Sequence, residues 1–412
     1  MLHKFSFDNG RISYANKFLE SKSYQAAQEN GRISYSEFAT DPCRSLFDRI
    51  ASVFHPQVTD SAKVNITKMA DRFVALAETP IQVEFDPETL KTVGVFNYED
   101  RIVGQMTTVH PHFDSARDTM YNVVTRYNAL SHYRLYEMVG RKAPRLVGQI
   151  PVKNPSYMHS FGMTQNYVII TEFPLVVNPI NLLLWLKPYI ENFVWKPKRG
   201  TPFYVMNRFT GELVGKFEAD PFFAFHHINA FEKGDELIID INAYDDASIV
   251  QNYYLNRLAD TNTELPFGQF RRYRLNLNKK RVTYDIMSDA CIELLRFDYE
   301  RYNMREDYRY AYAVSINPHQ RQGFYNQLVK VDIKTGKDKT WYTPGCYPGE
   351  PVFVGHPDRF AEDDGVVLSV VLDANRGKSF LLVLDAQTFG ERARAEIPHA
   401  VLFGYHGDYF NH

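Results

Sequence analysis

Cysteine is scarce in this chain. Three cysteines, Cys43, Cys291 and Cys346, occur among 412 residues, and no two of them form a CxxC pair. Disulfide frameworks and thiolate metal sites need cysteines that come together in pairs or clusters, so this count argues against both. The scarcity also fits a reducing compartment such as the cytoplasm.

Long apolar runs are missing as well. The first residues, Met1-Leu2-His3-Lys4-Phe5, contain no apolar signal region. No window approaches the roughly 18 consecutive apolar residues that a membrane-spanning helix needs. We therefore expect a cytoplasmic protein that is soluble or lies on the surface of a membrane.

Neither sign of charge is in large excess, because the formal net charge is -2. A chain so nearly neutral offers no electrostatic reason to expect a nucleic acid partner. The sequence also has no GxGxxG or P-loop motif, so it gives no sign of a nucleotide cofactor.

Hydrophobic residues make up 44% of the chain and aromatic residues 15%, enough to bury a sizeable core. After about residue 70, alternating or β-branched runs outnumber helical patterns, which predicts an all-β protein. The clearest such runs are residues 167–171, 236–241, 365–371 and 380–384. Before residue 70 we expect short helices or loops at 23–30 and 60–73.

A turn phrase recurs between these runs, with an Asp or Asn, then Thr, and Gly in several cases. It occupies residues 86–91, 207–212, 332–337 and 385–391. Such side chains can bond their own backbone, and Gly permits positive φ. Repeated hairpins at irregular spacing suit a β-propeller with long insertions, although other all-β folds stay open on this ground alone. No linker divides the chain, so we predict one domain, residues 1–412.

Residues 174–203 form an unusual segment, with an apolar run at Leu182, Leu183, Leu184, Trp185 and Leu186. Lysines and an arginine flank this run at Lys187, Lys196, Lys198 and Arg199. Leucine and tryptophan beside lysine are typical of a segment in the headgroup region of a bilayer. An ordinary buried helix with a charged end is the alternative.

Four histidines have neighbours that suggest metal binding: His110, His159, His226 and His406. They are 49, 67 and 180 residues apart, so no HExxH or zinc-finger spacing applies. Such ligands meet only if separate strands converge, as they do at the centre of a propeller. Imidazole binds Fe, Cu, Ni and Zn alike. Any one of these histidines could instead be satisfied by backbone hydrogen bonds.

Several phrases resemble those of the carotenoid cleavage oxygenase family, from the first residue nearly to the last. They are Met1-Leu-His-Lys-Phe-Ser-Phe7, His110-Pro-His112, Pro155-Ser-Tyr-Met-His159-Ser-Phe-Gly, Phe225-His226-His227-Ile-Asn-Ala and Phe403-Gly-Tyr-His406-Gly. The wording is most similar to the animal-type branch, which holds the β-carotene cleaving enzymes and the isomerohydrolase of the retinal pigment epithelium.

This resemblance implies a seven-bladed β-propeller with helices and loops capping one face and one Fe(II) on its axis. The implied metal ligands are His110, His159, His226 and His406. Three glutamates, Glu78, Glu293 and Glu350, are implied to accept hydrogen bonds from the ligand imidazoles. Such acceptors fix the orientation of an imidazole and make it a better donor. The family usually has several dozen residues before the phrase at Met1, so we expect that N-terminal segment to be missing here.

The implied reaction is cleavage of one C=C bond of a carotenoid or apocarotenoid by O2 into two aldehydes, of the apocarotenal or retinal type. The implied substrate is a long apolar molecule that dissolves in bilayers, which favours a peripheral membrane contact through Leu182, Leu183 and Trp185. Three alternatives stay open: a stilbene-cleaving oxygenase, a retinyl-ester isomerohydrolase, and a truncated propeller without activity.

Overall fold

The computed structural model describes residues 1–35, 37–40, 59–96, 98, 102–183, 187–260 and 262–411. Within these ranges the chain is almost entirely β, with 30 strands, five short α-helices and three short 3-10 helices. The all-β prediction is therefore confirmed. No helix in the described ranges is long and apolar enough to cross a membrane.

The strands connect mostly to their sequence neighbours. They are β1 (Leu2–Asp8), β2 (Arg11–Lys17), β3 (Asn65–Met69), β4 (Arg72–Leu76), β5 (Val83–Phe85), β6 (Thr92–Val95), β7 (Met106–Thr107), β8 (His112–Asp114), β9 (Thr119–Arg126), β10 (Ser131–Val139), β11 (Arg145–Val152), β12 (Gly162–Met163), β13 (Tyr167–Thr171), β14 (Leu175–Val177), β15 (Phe193–Trp195), β16 (Thr201–Asn207), β17 (Leu213–Ala219), β18 (His227–Lys233), β19 (Glu236–Ala243), β20 (Gln269–Asn276), β21 (Arg281–Ile286), β22 (Ile292–Arg296), β23 (Tyr310–Ser315), β24 (Gln327–Asp332), β25 (Lys337–Tyr342), β26 (Cys346–Pro348), β27 (Val352–Gly355), β28 (Gly365–Asp373), β29 (Lys378–Asp385) and β30 (Glu391–Glu396). The α-helices are α1 (Lys22–Asn30), α2 (Pro179–Leu183), α3 (Ser248–Asn252), α4 (Leu255–Leu258) and α5 (Tyr299–Tyr302), and the 3-10 helices are Ser115–Arg117, Tyr189–Asn192 and Pro197–Arg199.

Six sheets of four or five strands make up most of the described chain, and they are organised as propeller blades. Their orders are β3-β4-β5-β6, β11-β10-β9-β7 with β8 beside β9, β12-β13-β16-β17, β18-β19-β20-β21, β22-β23-β24-β25, and β26-β28-β29-β30 with β27 beside β28. The pairs β1–β2 and β14–β15 form two-stranded sheets.

The prediction of seven blades is wrong for the described residues, because six sheets have the strand number of a blade. The number seven came from the family resemblance, and no strand pattern in the sequence counted blades. The strand pair β1–β2, which contains the first of the family-like phrases, is a two-stranded sheet, whereas a blade needs about four strands.

The four turn phrases have the same role in four of these sheets, since each joins the last two strands. Asp86, Asn207, Asp332 and Asp385 each accept backbone N–H bonds through the side-chain oxygen from residues two or three positions later. All four turns then reach positive φ, at Leu90, Gly211, Gly336 and Phe389. The sequence therefore identified a repeated hairpin correctly, as the local Asx-turn chemistry dictates.

The expectation of a short helix or loop is confirmed at residues 23–30 and wrong at residues 60–73, where strands form. Helix α1 begins after Ser21, whose hydroxyl accepts from the Tyr24 N–H, and it ends at Gly31 with φ 62°. Residues 60–73 contain no helix, because β3 and β4 form a hairpin there with Asn65 paired to Leu76. The polar and apolar residues of this stretch alternate closely enough to suit a pleated strand, and strand pairing decides the outcome.

The chain divides into two compact units, Met1–Phe161 with Asn166–Lys216, and Gly162–Gln165 with Phe217–His412. We call them unit 1 and unit 2. Unit 1 has a core cluster of Met69, Val74, Leu76, Phe96, Val109, Met120 and Met138. Unit 2 has a larger cluster that includes Ile228, Phe231, Ile238, Phe270, Ile292, Tyr308 and Val329. The prediction of one domain stays a prediction.

A buried ion pair lies in unit 1. The Arg208 side chain is 0% exposed and donates from Nη2 to Asp114 Oδ2 at 2.6 Å, with the Asp114 side chain 4% exposed. Arg117 donates to the same oxygen at 2.9 Å. Burial alone would raise the pKa of Asp114, but the bonds from the two arginines lower it overall. The guanidinium of Arg208 also lies 5.2 Å from the ring centre of Tyr121.

We expect Arg208→Ala to lower the free energy of unfolding by about 3–5 kcal/mol, because it leaves the Asp114 carboxylate buried with less compensation. Urea unfolding of the purified protein measures this loss. Arg274→Ala is the control, because Arg274 pairs with Asp285 while 34% exposed and should contribute about 0–1 kcal/mol. Equal losses in the two variants would contradict the prediction.

Candidate metal centre

Each of the four predicted histidines lies on a connection outside the strands. His110 lies between β7 and β8, and His159 lies shortly before β12. His226 immediately precedes β18, and His406 lies in the irregular segment after β30. Their backbone is not wholly free of strand partners, because the His226 carbonyl accepts from the Asn242 N–H of β19 at 3.1 Å. Hydrogen bonds to the imidazole rings add to that positioning.

Unit 1 contributes His110 and His159, whose ring centres are 4.9 Å apart. His159 Nδ1 lies 2.7 Å from Glu78 Oε1. The Tyr157 hydroxyl donates to the same carboxylate oxygen at 2.5 Å. Glu78 therefore holds the Nδ1 side of the His159 ring, which leaves Nε2 for another partner.

Unit 2 contributes His226 and His406, whose Nε2 atoms are 3.3 Å apart. His226 Nδ1 is 2.6 Å from Glu293 Oε1, and His406 Nδ1 is 2.8 Å from Glu350 Oε1. A carboxylate partner assigns the ring proton to Nδ1 in both residues, so both Nε2 atoms carry lone pairs. Two lone pairs at this distance repel each other unless a cation lies between them, so the pair is suited to share a metal ion.

The four histidines come together as one group. One nitrogen from each of His110, His159, His226 and His406 lies within 4.8 Å of the others, so the group could hold a metal ion. All four donors are imidazoles, which suit Fe, Cu, Ni and Zn. The family resemblance predicts these four residues as the metal ligands, and that role stays a prediction.

His112 lies two residues after His110 but is placed differently. Its side chain is buried, and its Nε2 is 2.9 Å from the Phe161 carbonyl oxygen, to which it donates. Burial lowers the pKa of His112 to about 4. His112 is therefore a neutral core histidine with a backbone partner, and the spacing of the sequence alone could not distinguish it from His110.

The carboxylates of unit 2 are strongly held as anions. Burial alone would raise the pKa of Glu293, but interaction with His226 and a hydrogen bond from Tyr244 lower it. Burial likewise opposes the shift at Glu350, where Arg296 and then His406 lower the pKa to about 2. An ionised glutamate is the stronger acceptor for an imidazole N–H.

Sequence reasoning missed the residues that support these glutamates. The Tyr244 hydroxyl donates to Glu293, as Tyr157 donates to Glu78. Glu350 instead faces the guanidinium of Arg296. Tyr157 could have been suspected because it lies two residues before His159, but Tyr244 and Arg296 reach their glutamates from distant parts of the sequence and give no local signal.

Comparison with known proteins defines the class of protein to which this arrangement belongs. The model of the retinal pigment epithelial membrane protein family matches residues 1–411. The chain belongs to this family, so the family predicted from the sequence is confirmed.

Similar curated proteins include a mitochondrial carotenoid-cleaving dioxygenase of Macaca fascicularis, which is 32% identical over 99% of this chain and 84% of its own length. The carotenoid isomerooxygenase of Galleria mellonella is 31% identical over 96% of this chain and 82% of its own. The β,β-carotene 15,15′-dioxygenase of Gallus gallus is 31% identical over 99% of this chain and 87% of its own.

Solved structures show the same fold. A variant of Synechocystis apocarotenoid oxygenase is similar with a TM-score of 0.86 and 25% identity, over 98% of this chain and 85% of that one. A cobalt-substituted Synechocystis oxygenase has a TM-score of 0.85, also at 25% identity, over 98% of this chain and 85% of that one. These likenesses extend over nearly the whole of this chain, so the β-propeller fold is confirmed.

We expect Glu293→Gln to weaken metal binding by about tenfold or more, because the neutral amide is a poorer acceptor for the His226 N–H. Competition between the protein and a coloured chelator of divalent metal ions measures the affinity. Glu306→Gln is the matched control in unit 2, because Glu306 is 55% exposed and pairs with Lys233. Identical affinities in the two variants would show that the Glu293 charge is unimportant.

Proposed function

We propose that this chain is a non-haem Fe(II) dioxygenase that cleaves one C=C bond of a carotenoid or apocarotenoid. One molecule of O2 supplies one oxygen atom to each carbon of the bond, so the products are two aldehydes. The observation that carries the proposal is the group of four histidines, three of which are held at Nδ1 by carboxylates. The carotenoid-cleaving names of the similar proteins supply the substrate class.

The residues present fit an iron ion. Four neutral imidazoles add no negative charge, so a bound Fe(II) keeps its charge, and three carboxylates behind the imidazoles raise their donor strength. Iron(II), when bound there, supplies the activation of dioxygen beside the double bond. The axial position of this metal in the propeller stays a prediction.

The chain itself orients the ligands and offers an apolar surface for a polyene. Next to His226, the ring of Phe225 stacks on Tyr253 with centres 5.8 Å apart. Tyr253 contacts Phe324, and Phe324 contacts Phe403 with ring centres 4.3 Å apart. We infer that this row of rings in unit 2 contacts the substrate, because aromatic side chains suit an apolar conjugated rod.

A second activity on the same metal is isomerisation. One similar protein is named a carotenoid isomerooxygenase, and this name favours isomerisation as a second candidate activity beside oxidative cleavage. A retinyl-ester isomerohydrolase or a stilbene-cleaving oxygenase would use the same histidines. Oxygen uptake separates hydrolysis from cleavage, because cleavage alone consumes one O2 per substrate, and product analysis separates stilbene from carotenoid substrates.

We expect wild-type protein loaded anaerobically with Fe(II) to hold about one iron per chain. The loaded protein should then convert a carotenoid or apocarotenoid into two aldehydes with one O2 consumed. His226→Ala should lose both the iron and the products. His227→Ala is the matched control and should keep both, since His227 lies outside the histidine group.

Little iron in well-folded wild-type protein would overturn the proposal and favour a propeller without activity. Iron without aldehydes or oxygen uptake would favour the isomerohydrolase.

We also propose that the protein is cytoplasmic and that a segment of unit 1 contacts a membrane surface, because the proposed substrate dissolves in bilayers. Ile180 on α2 is 61% exposed and Val194 on β15 is 53% exposed. Exposed lysines lie close in sequence at Lys187, Lys196 and Lys198. Leu182 is partly buried on α2, whereas Trp185 and the Leu183 side chain lie outside the described residues.

We expect a triple variant, Leu182→Ser, Leu183→Ser and Trp185→Ser, to bind liposomes less tightly than the wild type. The three substitutions remove apolar area from the segment. Co-sedimentation with vesicles of mixed neutral and anionic lipids measures binding. Leu255→Ser is the control, because Leu255 is 83% exposed but lies in unit 2. Unchanged sedimentation of the triple variant would remove this segment from the proposal.

A further inference from the structure

The three glutamates behind the histidines are supported in two different ways. Glu78 and Glu293 accept hydrogen bonds from tyrosine hydroxyls, those of Tyr157 and Tyr244. Glu350 accepts at Oε2 from the Gly407 N–H at 3.0 Å and faces Arg296 Nη1 at 3.6 Å. A guanidinium is a permanent charge with a rigid fork of donors, whereas a phenol is one neutral donor. Glu350 is therefore the glutamate whose support is ionic.

Arg296 joins two carboxylates that lie on separate segments. Its Nη1 faces Glu350, which lies between β26 and β27, and its Nη2 donates to Asp408 Oδ1 at 3.0 Å. Asp408 is two residues from His406, in the irregular segment after β30. The Arg296 side chain is 25% exposed, so solvent only partly screens these interactions. One side chain thus holds both the acceptor of the His406 ring and the backbone that carries that ring.

Strand β22 is shaped so that it can do this. Glu293 and Arg296 are three residues apart, and in a regular strand their side chains would point to opposite faces. The register of β22 against β23 is irregular between these two residues. Leu294, which lies between them, has φ 50°, a left-handed conformation that is uncommon for a leucine. Bulges of this kind redirect side chains near active sites, and here both residues reach partners of histidine ligands.

We propose that Arg296 is a positioning residue of the metal centre, which sets His406 by holding Glu350 and the segment around Asp408. The proposal rests on the proposed function, because it gives His406 the role of a metal ligand. It assigns β22 two tasks: Glu293 orients His226 and Arg296 orients His406. Arg296 acts through other residues and does not itself contact the metal or the substrate.

The test measures Fe(II) affinity without turnover. We expect Arg296→Gln to weaken anaerobic Fe(II) binding by about 10–100-fold in chelator competition, the range typical for residues that support metal ligands. Arg296→Lys should recover part of the loss, because one ammonium replaces the charge but cannot bridge two carboxylates in the same way. Arg274→Gln removes a partly exposed arginine that pairs with Asp285 in the same unit, and it should leave the affinity unchanged.

A double-mutant cycle separates positioning from general destabilisation. In a Glu350→Gln background, which keeps all four histidines, Arg296→Gln should cause a smaller further loss of Fe(II) affinity than in the wild type, since one of the two carboxylates through which Arg296 acts has lost its charge. A general structural effect would add to the loss instead, and additive losses would overturn the proposal. Wild-type affinity in Arg296→Gln would also overturn it.

Two further outcomes keep the experiment decisive. If Arg296→Gln does not fold, Asp408→Asn replaces it, and a smaller loss in the same direction is expected, while an unchanged affinity would overturn the proposal. If the wild-type protein binds no Fe(II), the proposed function itself fails and this inference fails with it. Failure of the inference alone gives normal wild-type binding together with normal binding in Arg296→Gln.

Discussion

The hydrogen bond between a glutamate and the Nδ1 atom of a histidine is the interaction on which the rest of this site depends. An imidazole has two nitrogens, and fixing the proton on one makes the other a donor of electrons. Glu78, Glu293 and Glu350 do this for His159, His226 and His406. Because these histidines lie outside the strands, hydrogen bonds to the carboxylates orient the imidazole rings where ladder bonds alone do not. The strands and the segments next to them place the three glutamates, and the side chains that bond to them, beside the histidines.

The sheets and the site therefore follow different rules. Each four- or five-stranded sheet is stabilised by its own ladder of backbone bonds and by apolar side chains such as those of the unit 2 core. The site is stabilised by a few buried charges, each of which needs a partner because burial of an isolated carboxylate is costly. The partner is a tyrosine hydroxyl for two of the glutamates and a guanidinium for the third, namely Tyr157, Tyr244 and Arg296. The three glutamates are therefore not equivalent.

Much of the fold could be predicted from local chemistry. The Asx turns at Asp86, Asn207, Asp332 and Asp385 are bonded within a few residues, so the sequence displays them directly. The hairpin of β3 and β4 lies where the sequence predicts a short helix or loop, because its formation depends on pairing between two strands. The number of blades also depends on pairing between strands, and the resemblance supplied seven where the described residues show six.

The histidine set was predicted through the family resemblance, and spacing alone would have left His110 and His112 indistinguishable. The residues behind the glutamates could not be predicted, because Tyr244 and Arg296 are brought to them by tertiary structure over long sequence separations. The kink at Leu294 could not be predicted either, because no residue of β22 is of a type that favours positive φ.

That kink also has a consequence for how the protein can change over time. Between Ile292 and Arg296 the chain must satisfy two separate histidine supports with a three-residue offset. Insertion or deletion of one residue there would move one support out of reach, whichever way the strand adjusted. The turn after β24, in contrast, is exposed and closes on its own side chains. Among related proteins, insertions and deletions should therefore be common in such outer hairpins and rare in β22.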